Sequence, residues 1–178
     1  MNSAALYVHI PFCLKKCSYC DFFSVENSGR IDDLYLECLK NEAVFYAQKH
    51  KIDFWRTIYI GGGTPSLLSA AQIEKLSVYF KNSCLCKNVP PLEFTIEMNP
   101  ESVSREKLDS AWKNGITRLS LGIQSLNENA LKSLLNLRYF QCPGNIFLSH
   151  SLIHHKMNPC FDRGAISGYH FRFKLFLP

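Results

Sequence analysis

The sequence predicts an α/β fold in which parallel strands alternate with helices. Short β-rich runs take turns with runs of helical periodicity, and each β-rich run ends abruptly at a proline, a glycine cluster or a polar cluster. The unit recurs at about 30–40 residues, the length of a strand–helix–strand crossover, which a parallel sheet requires.

Leu6 to Ile10 reads Leu-Tyr-Val-His-Ile, a β-rich run stopped by Pro11, and a cysteine-rich loop follows to Ser24. From Ile31 to Tyr46, apolar residues at Ile31, Leu34, Cys38 and Phe45, with Tyr35, Leu39 and Tyr46 beside them, give helical spacing. Thr57 to Ile60 is a second strand, cut short by Gly61, Gly62 and Gly63. Ser69 and Gln72 form a capping-box pattern ahead of Ile73, Leu76 and Phe80. Glu93 to Met98 alternates Phe94, Ile96 and Met98 with polar neighbours, a third strand. Ser104 can cap a helix carrying Leu108, Ala111 and Trp112, with Gly115 as its stop. Arg118 to Ile123 is a fourth strand, and Asn127 can cap a fourth helix through Leu131 and Leu134.

Right-handed crossovers would put these strands in one sheet whose sites form at the carboxyl ends. Four unusual segments fall there. They are the cysteine loop, the three glycines, Glu97-Met98-Asn99-Pro100 and Gly122-Ile123-Gln124-Ser125.

With 178 residues, 47% hydrophobic and 20% charged, the chain suits one globular domain. It shows no apolar run of membrane-spanning length and no secretory leader pattern, so a cytoplasmic protein is expected. Eight cysteines then argue for thiols or metal ligands rather than disulfides. The net charge of +5 is uneven: the stretch to Leu135 carries +1, and 136–178 carries +4, with Asp162 as its one acid. No basic and aromatic residues alternate in a recognisable module, so a nucleic-acid partner is not expected.

Cys13, Cys17 and Cys20 are spaced Cys-x3-Cys-x2-Cys in one loop. Thiolates suit iron–sulfur clusters or zinc, and three ligands from one loop leave a coordination position open. A closed zinc site using His9, Cys38, Cys84 or Cys86 is the alternative. Cys38 falls on the predicted apolar face of its helix and reads as core; Cys84 and Cys86 read as structural or incidental, and Lys15 and Lys16 as a solvated face. Gly61, Gly62 and Gly63 mark backbone that approaches a ligand closely or takes positive φ, or else a tight strand-to-helix turn. Glu97 is a cofactor acceptor or the partner of a nearby Lys or Arg; Gln124 is a cofactor contact or a core-edge hydrogen bond; Tyr7 and Tyr19 are cofactor contacts or packing.

Tyr7 to Phe22, with its Pro-Phe-Cys-x3-Cys-x2-Cys core, resembles the signature of the radical SAM superfamily. Within it, the segment is similar to the oxygen-independent coproporphyrinogen III oxidases and their relatives, the HemW-type haem chaperones. Ile60-Gly61-Gly62-Gly63-Thr64-Pro65-Ser66, Glu97 to Pro100 and Arg118 to Ser125 match in the same order, so the resemblance covers about residues 5–134. It implies a partial (β/α) barrel of about four parallel βα units. It implies a [4Fe–4S] cluster on Cys13, Cys17 and Cys20, with S-adenosylmethionine on the fourth iron. It implies that one electron from the cluster cleaves the sulfonium C–S bond, giving a 5′-deoxyadenosyl radical and methionine. Gly62, Gly63 and Thr64 would meet the methionine end of that cofactor, and Glu97, Gln124, Tyr7 and Tyr19 would add contacts. A low-potential electron donor and haem or another tetrapyrrole are the implied partners. Asp21-Phe22 replaces the further cysteine of the oxidases, which favours the chaperone type and leaves the oxidase as the alternative.

After Leu134 the resemblance stops: Leu135-Asn136-Leu137-Arg138 stands where the family continues Gly-Arg-x-His. Residues 1–135 are therefore expected to form the first part of the barrel, with its later part missing. Residues 136–178 are expected to be a frameshifted or degenerate basic tail adding no strand or helix. An inactive remnant, or a structural zinc fragment, is the third reading. His154, His155 and Cys160 in this tail offer only a weak metal pattern.

Overall fold

A computed structural model of the chain describes residues 1–17, 20–27, 30–86 and 89–124, with backbone alone at Gln124 and 170–175. Five parallel strands form one sheet in the order β1 (Ser3–Ile10), β4 (Phe54–Gly62), β5 (Glu93–Met98), β6 (Arg118–Gln124) and β7 (His170–Leu175). Three helices, α1 (Asp33–Lys49), α2 (Ala70–Lys81) and α3 (Arg105–Lys113), connect the first four. The predicted parallel α/β architecture is the one observed. A two-residue ladder, β2 (Phe12–Cys13) with β3 (Val25–Glu26), ties off the cysteine loop. The expected helix after Asn127 and the 135/136 boundary lie outside the described residues.

Alternation sets the two faces of the sheet. Val8, Ile10, Ile58, Ile60, Phe94, Ile96, Met98 and Leu119 are buried in one core with Leu36, Ile73, Leu76, Phe80 and Ala111 of the helices. The residues between them point the other way, in two rows fixed by the strand register. Tyr7, Tyr59, Thr95 and Arg118 form one row. His9 pairs with Gly61 and Glu97 with Ser120 in the next row toward the strand ends. The apolar set faces the helices, so the polar set lines the opposite face, which is open at Tyr7 but buried at Thr95 and Ser120.

The helix starts follow their caps. Ser69 and Gln72 exchange both capping-box bonds, Ser104 accepts from the Lys107 amide, and Asp32 accepts from the Leu34 amide. Gly115, just beyond α3, takes φ +85°, which suits glycine at a helix end. The expected inner face of α1 is corrected. Leu34 is 68% and Phe45 56% exposed, Cys38 is exposed, and the buried positions are Leu36, Ala43 and Ala47. The helix carries apolar residues on both sides, and periodicity followed the larger ones. Small alanines allow α1 to pack close, so they occupy the core side. On α3, Ala111 is buried and Trp112 is 44% exposed.

α1 and α2 are joined by polar contacts around a buried glutamine. The Gln72 amide donates to the Ile31 carbonyl at 2.8 Å and to Asp33 at 2.9 Å. Lys75 reaches Glu37 at 3.1 Å, and the Tyr79 hydroxyl also donates to Glu37. These bonds hold the Asp33 and Glu37 carboxyls below the usual range, the Gln72 bond leading for Asp33 and the Tyr79 bond for Glu37. A depressed carboxyl adds stability above its unfolded pKa and loses it as pH falls through the folded value. The thermal midpoint is therefore expected to drop as pH falls from about 5 toward 3. Gln72→Ala should cost about 1–3 kcal/mol in urea unfolding at neutral pH, because it leaves a buried carbonyl without its donor.

His170–Leu175 was not expected from the sequence. Its backbone pairs in parallel with β6 from Arg118 to Leu121 and again at Gln124. The signal was present: His-Phe-Arg-Phe-Lys-Leu alternates polar and apolar residues.

Candidate functional site

The open face and the carboxyl ends of the strands bring most of the predicted site residues together. After Ile10 the chain crosses Pro11 into β2, so Cys13 lies on the short ladder and Cys17 and Cys20 on the loop it closes. Two ladder bonds hold the base of this loop: the Val25 amide to the Pro11 carbonyl and the Asn27 amide to the Cys13 carbonyl, each 2.8 Å. Inside it, the Cys20 amide donates to the Cys17 carbonyl at 3.1 Å, and the Lys16 amide donates to the Glu26 carboxylate at 2.8 Å. All three cysteines are partly buried thiols.

The glycine run passes directly beneath this loop. The Gly63 amide donates to the Ile10 carbonyl and the Thr64 amide to the Phe12 carbonyl, both at 2.8 Å. The Thr64 hydroxyl lies 3.5 Å from the Cys13 sulfur, as a donor. A Cβ on Gly63 would stand 2.8 Å from the Phe12 carbonyl oxygen and 2.9 Å from the Cys13 sulfur. Gly62 has φ +120°, and a Cβ there would stand 2.9 Å from the Ile10 carbonyl oxygen. Close approach and positive φ thus both occur, and the backbone approached is the chain's own cysteine segment.

Glu97 sits on β5 at the edge of this turn. One carboxylate oxygen accepts from the Tyr59 hydroxyl at 2.6 Å and the other from the Gly62 amide at 3.3 Å. Arg118, the cation on the neighbouring strand, pairs instead with Glu93 at 2.9 Å. Among the described residues no Lys or Arg pairs with Glu97. Burial, then the bond to Glu97, push the Tyr59 phenol up to about 12, so it remains a donor at neutral pH. Tyr7 stacks on Tyr59 with ring centres 6.1 Å apart, is 58% exposed, and is raised by burial and by the Glu97 charge. Tyr7 also reaches His9 Nδ1 at 3.1 Å, and His9 Nε2 lies 2.9 Å from the Phe23 carbonyl, clamping the far arm of the cysteine loop.

The sequence reading missed Tyr59 and the clamping role of His9. Tyr59 precedes Gly61 by two residues, so both lie on one strand face with Tyr7 opposite; that parity was the available signal. Tyr19 lies outside the described residues. Gln124 ends β6 at the same sheet edge. Cys38 on α1 and buried Cys84 lie on other elements.

Among the described residues no three His, Cys, Asp or Glu side chains are gathered closely enough to hold a metal ion. The chemistry of the donor set suits a [4Fe–4S] cluster: three soft sulfurs on one loop, with the Thr64 hydroxyl 3.5 Å from the first of them. No helix of the described residues is long and apolar enough to cross a membrane.

Several known proteins resemble this chain in sequence and fold. Residues 7–140 match the radical SAM superfamily. The haem chaperone HemW of Lactococcus lactis is 42% identical over 133 residues, which cover 75% of this chain and 33% of that protein. The haem chaperone HemW of Escherichia coli is 38% identical over 134 residues, covering 73% and 34%. The solved coproporphyrinogen III oxidase (HemN) of Escherichia coli, described as a radical SAM enzyme, superposes with a TM-score of 0.66 at 32% identity. That match covers 76% of this chain and 31% of the other. The chain spans about a third of the length of these relatives.

Proposed function

The chain belongs to the radical SAM superfamily, and from that premise we propose that it carries a [4Fe–4S] cluster and S-adenosylmethionine in the service of haem handling, as a HemW-type haem chaperone. Cys13, Cys17 and Cys20 are the proposed cluster ligands. Gly62, Gly63, Thr64 and Glu97 are the proposed seat of S-adenosylmethionine, with Tyr7, Tyr19 and Gln124 as further contacts. A low-potential electron donor and haem or a related tetrapyrrole are the proposed partners.

One observation carries the reading: the glycine turn is hydrogen-bonded to the backbone that bears the first cysteine. Any cluster on the loop would therefore lie beside the turn and the Glu97 carboxylate. When bound, the cluster and S-adenosylmethionine together supply reductive cleavage of a sulfonium C–S bond, chemistry that no side chain provides. The chain's own part is binding and orientation. The ladder and the His9 clamp fix the loop, Thr64 points a donor at the Cys13 sulfur, and Glu97 offers a fixed negative acceptor suited to an ammonium or a hydroxyl.

The HemW relatives at 38–42% identity favour the chaperone type. So does Asp21-Phe22 in place of a further cysteine. Similarity to a solved coproporphyrinogen III oxidase keeps decarboxylation of coproporphyrinogen as the second reading.

The test is anaerobic reconstitution with iron and sulfide, followed by electron paramagnetic resonance of the reduced chain with and without S-adenosylmethionine. A cluster signal that shifts on adding the cofactor is the expected result. Stoichiometric zinc with no iron would sink the cluster assignment. Haem titration beside a coproporphyrinogen turnover assay then separates the two types: haem binding without turnover is expected.

A further inference from the structure

We propose that Tyr59 is a positioning residue for Glu97: its phenol, with the Gly62 amide, fixes the carboxylate against Gly61 so that the remaining lone pairs face the open side of the sheet. The inference rests on the reading of this edge as the S-adenosylmethionine seat and names a residue that the sequence motifs leave out.

Each Glu97 oxygen has one donor from β4, at 2.6 Å from Tyr59 and 3.3 Å from Gly62. A carboxylate has about four acceptor positions, so roughly half remain for a ligand. The floor of the site is bare backbone. A Cβ on Gly61 would stand 3.0 Å from a Glu97 oxygen and 2.8 Å from the Tyr59 ring, so the absent side chain is the space the pair occupies. The Tyr59 ring is itself held by its stack with Tyr7. Without the phenol, the carboxylate would keep one long amide bond and could turn toward solvent or toward Arg118. The phenol therefore acts as a fixed neutral donor that selects one orientation of a flexible acid, and it leaves the negative charge for a cationic or hydroxyl-bearing ligand.

The test is S-adenosylmethionine binding to the reconstituted full chain by equilibrium dialysis, for wild type, Tyr59→Phe, Glu97→Gln and the double variant. Tyr59→Phe keeps the ring stack, and its iron content should equal wild type. Its affinity should fall roughly tenfold or more, the scale of a hydrogen bond to a charged group. In the Glu97→Gln background the same exchange should change affinity by less than about threefold, because the two residues act as one unit. The other groups facing the pair, Tyr7 on β1 and Arg118 and Ser120 on β6, are unchanged across the set. Wild-type binding with Tyr59→Phe equal to it, or an equal loss in the Glu97→Gln background, overturns the inference alone. A wild-type chain that holds its cluster yet binds no S-adenosylmethionine overturns the cofactor seat and this inference together.

Discussion

Exchange of Cys13, Cys17 or Cys20 for alanine is expected to reduce the iron of the anaerobically reconstituted chain from about four atoms to well under one. The loop leaves no spare thiol to take over. Cys38 is exposed on α1 and Cys84 is buried beside Trp55, neither on the cysteine loop. The fold should survive each exchange. The base of the loop is held by backbone bonds, including that from the Asn27 amide to the Cys13 carbonyl, which alanine keeps. Urea unfolding without iron should therefore shift by no more than about 0.5 kcal/mol. Cys38→Ala serves as the control, with iron unchanged. Iron and sulfide assays on the purified variants decide the matter. Full iron in any single variant of the trio would remove that cysteine from the ligand set.

Gly63→Ala is expected to damage both stability and cluster. Its Cβ would meet the Phe12 carbonyl oxygen at 2.8 Å, the Cys13 sulfur at 2.9 Å and the Pro11 carbonyl carbon at 2.9 Å. Two of those three atoms are backbone, pinned by the β2–β3 ladder, so neither can swing aside. Relief requires the turn and the cysteine segment to part, which breaks the Gly63 bond to Ile10 and the Thr64 bond to Phe12. Overpacking of this kind costs about 1–3 kcal/mol. Because the displaced atoms include the Cys13 sulfur, iron content should fall with stability. Gly115→Ala is the matched contrast: φ is +85°, but the nearest atom is the Lys81 ammonium at 3.5 Å. It should lose about 1 kcal/mol from backbone strain and retain its iron. Urea unfolding and iron assay on the two variants check both halves. Equal iron in both would show that the glycine turn and the cluster loop are mechanically independent.

The order of β1, β4, β5 and β6 with the helices between them, the caps at Ser69 and Ser104, and the collection of cysteines, glycines and Glu97 at one sheet edge were legible in the sequence. Each depends on local rules. Capping needs a hydroxyl and a nearby amide, strands end where proline or glycine removes a donor or a side chain, and crossovers put consecutive strand ends on one side. The inner face of α1 was not legible. Periodicity registers hydrophobic size, whereas the helix packs through Leu36, Ala43 and Ala47, whose smallness allows close approach. The alternation of His170–Leu175 was readable, but its distance from β6 in the chain gives no local signal that the two pair.

The residue types of the site were thus set by the sequence alone: three thiols in one loop, a glycine run and an acid, each at a strand end. Only tertiary structure decided what those residues do to one another. Register set Tyr59 beside Tyr7, and the bare backbone of Gly61 gave the Glu97 carboxylate room to meet the phenol. It also showed that the glycines are needed first by the chain's own cysteine segment. The physical reason is that a hydrogen bond across strands depends on alignment to within an ångström, and that alignment comes from the packed sheet, not from spacing along the chain.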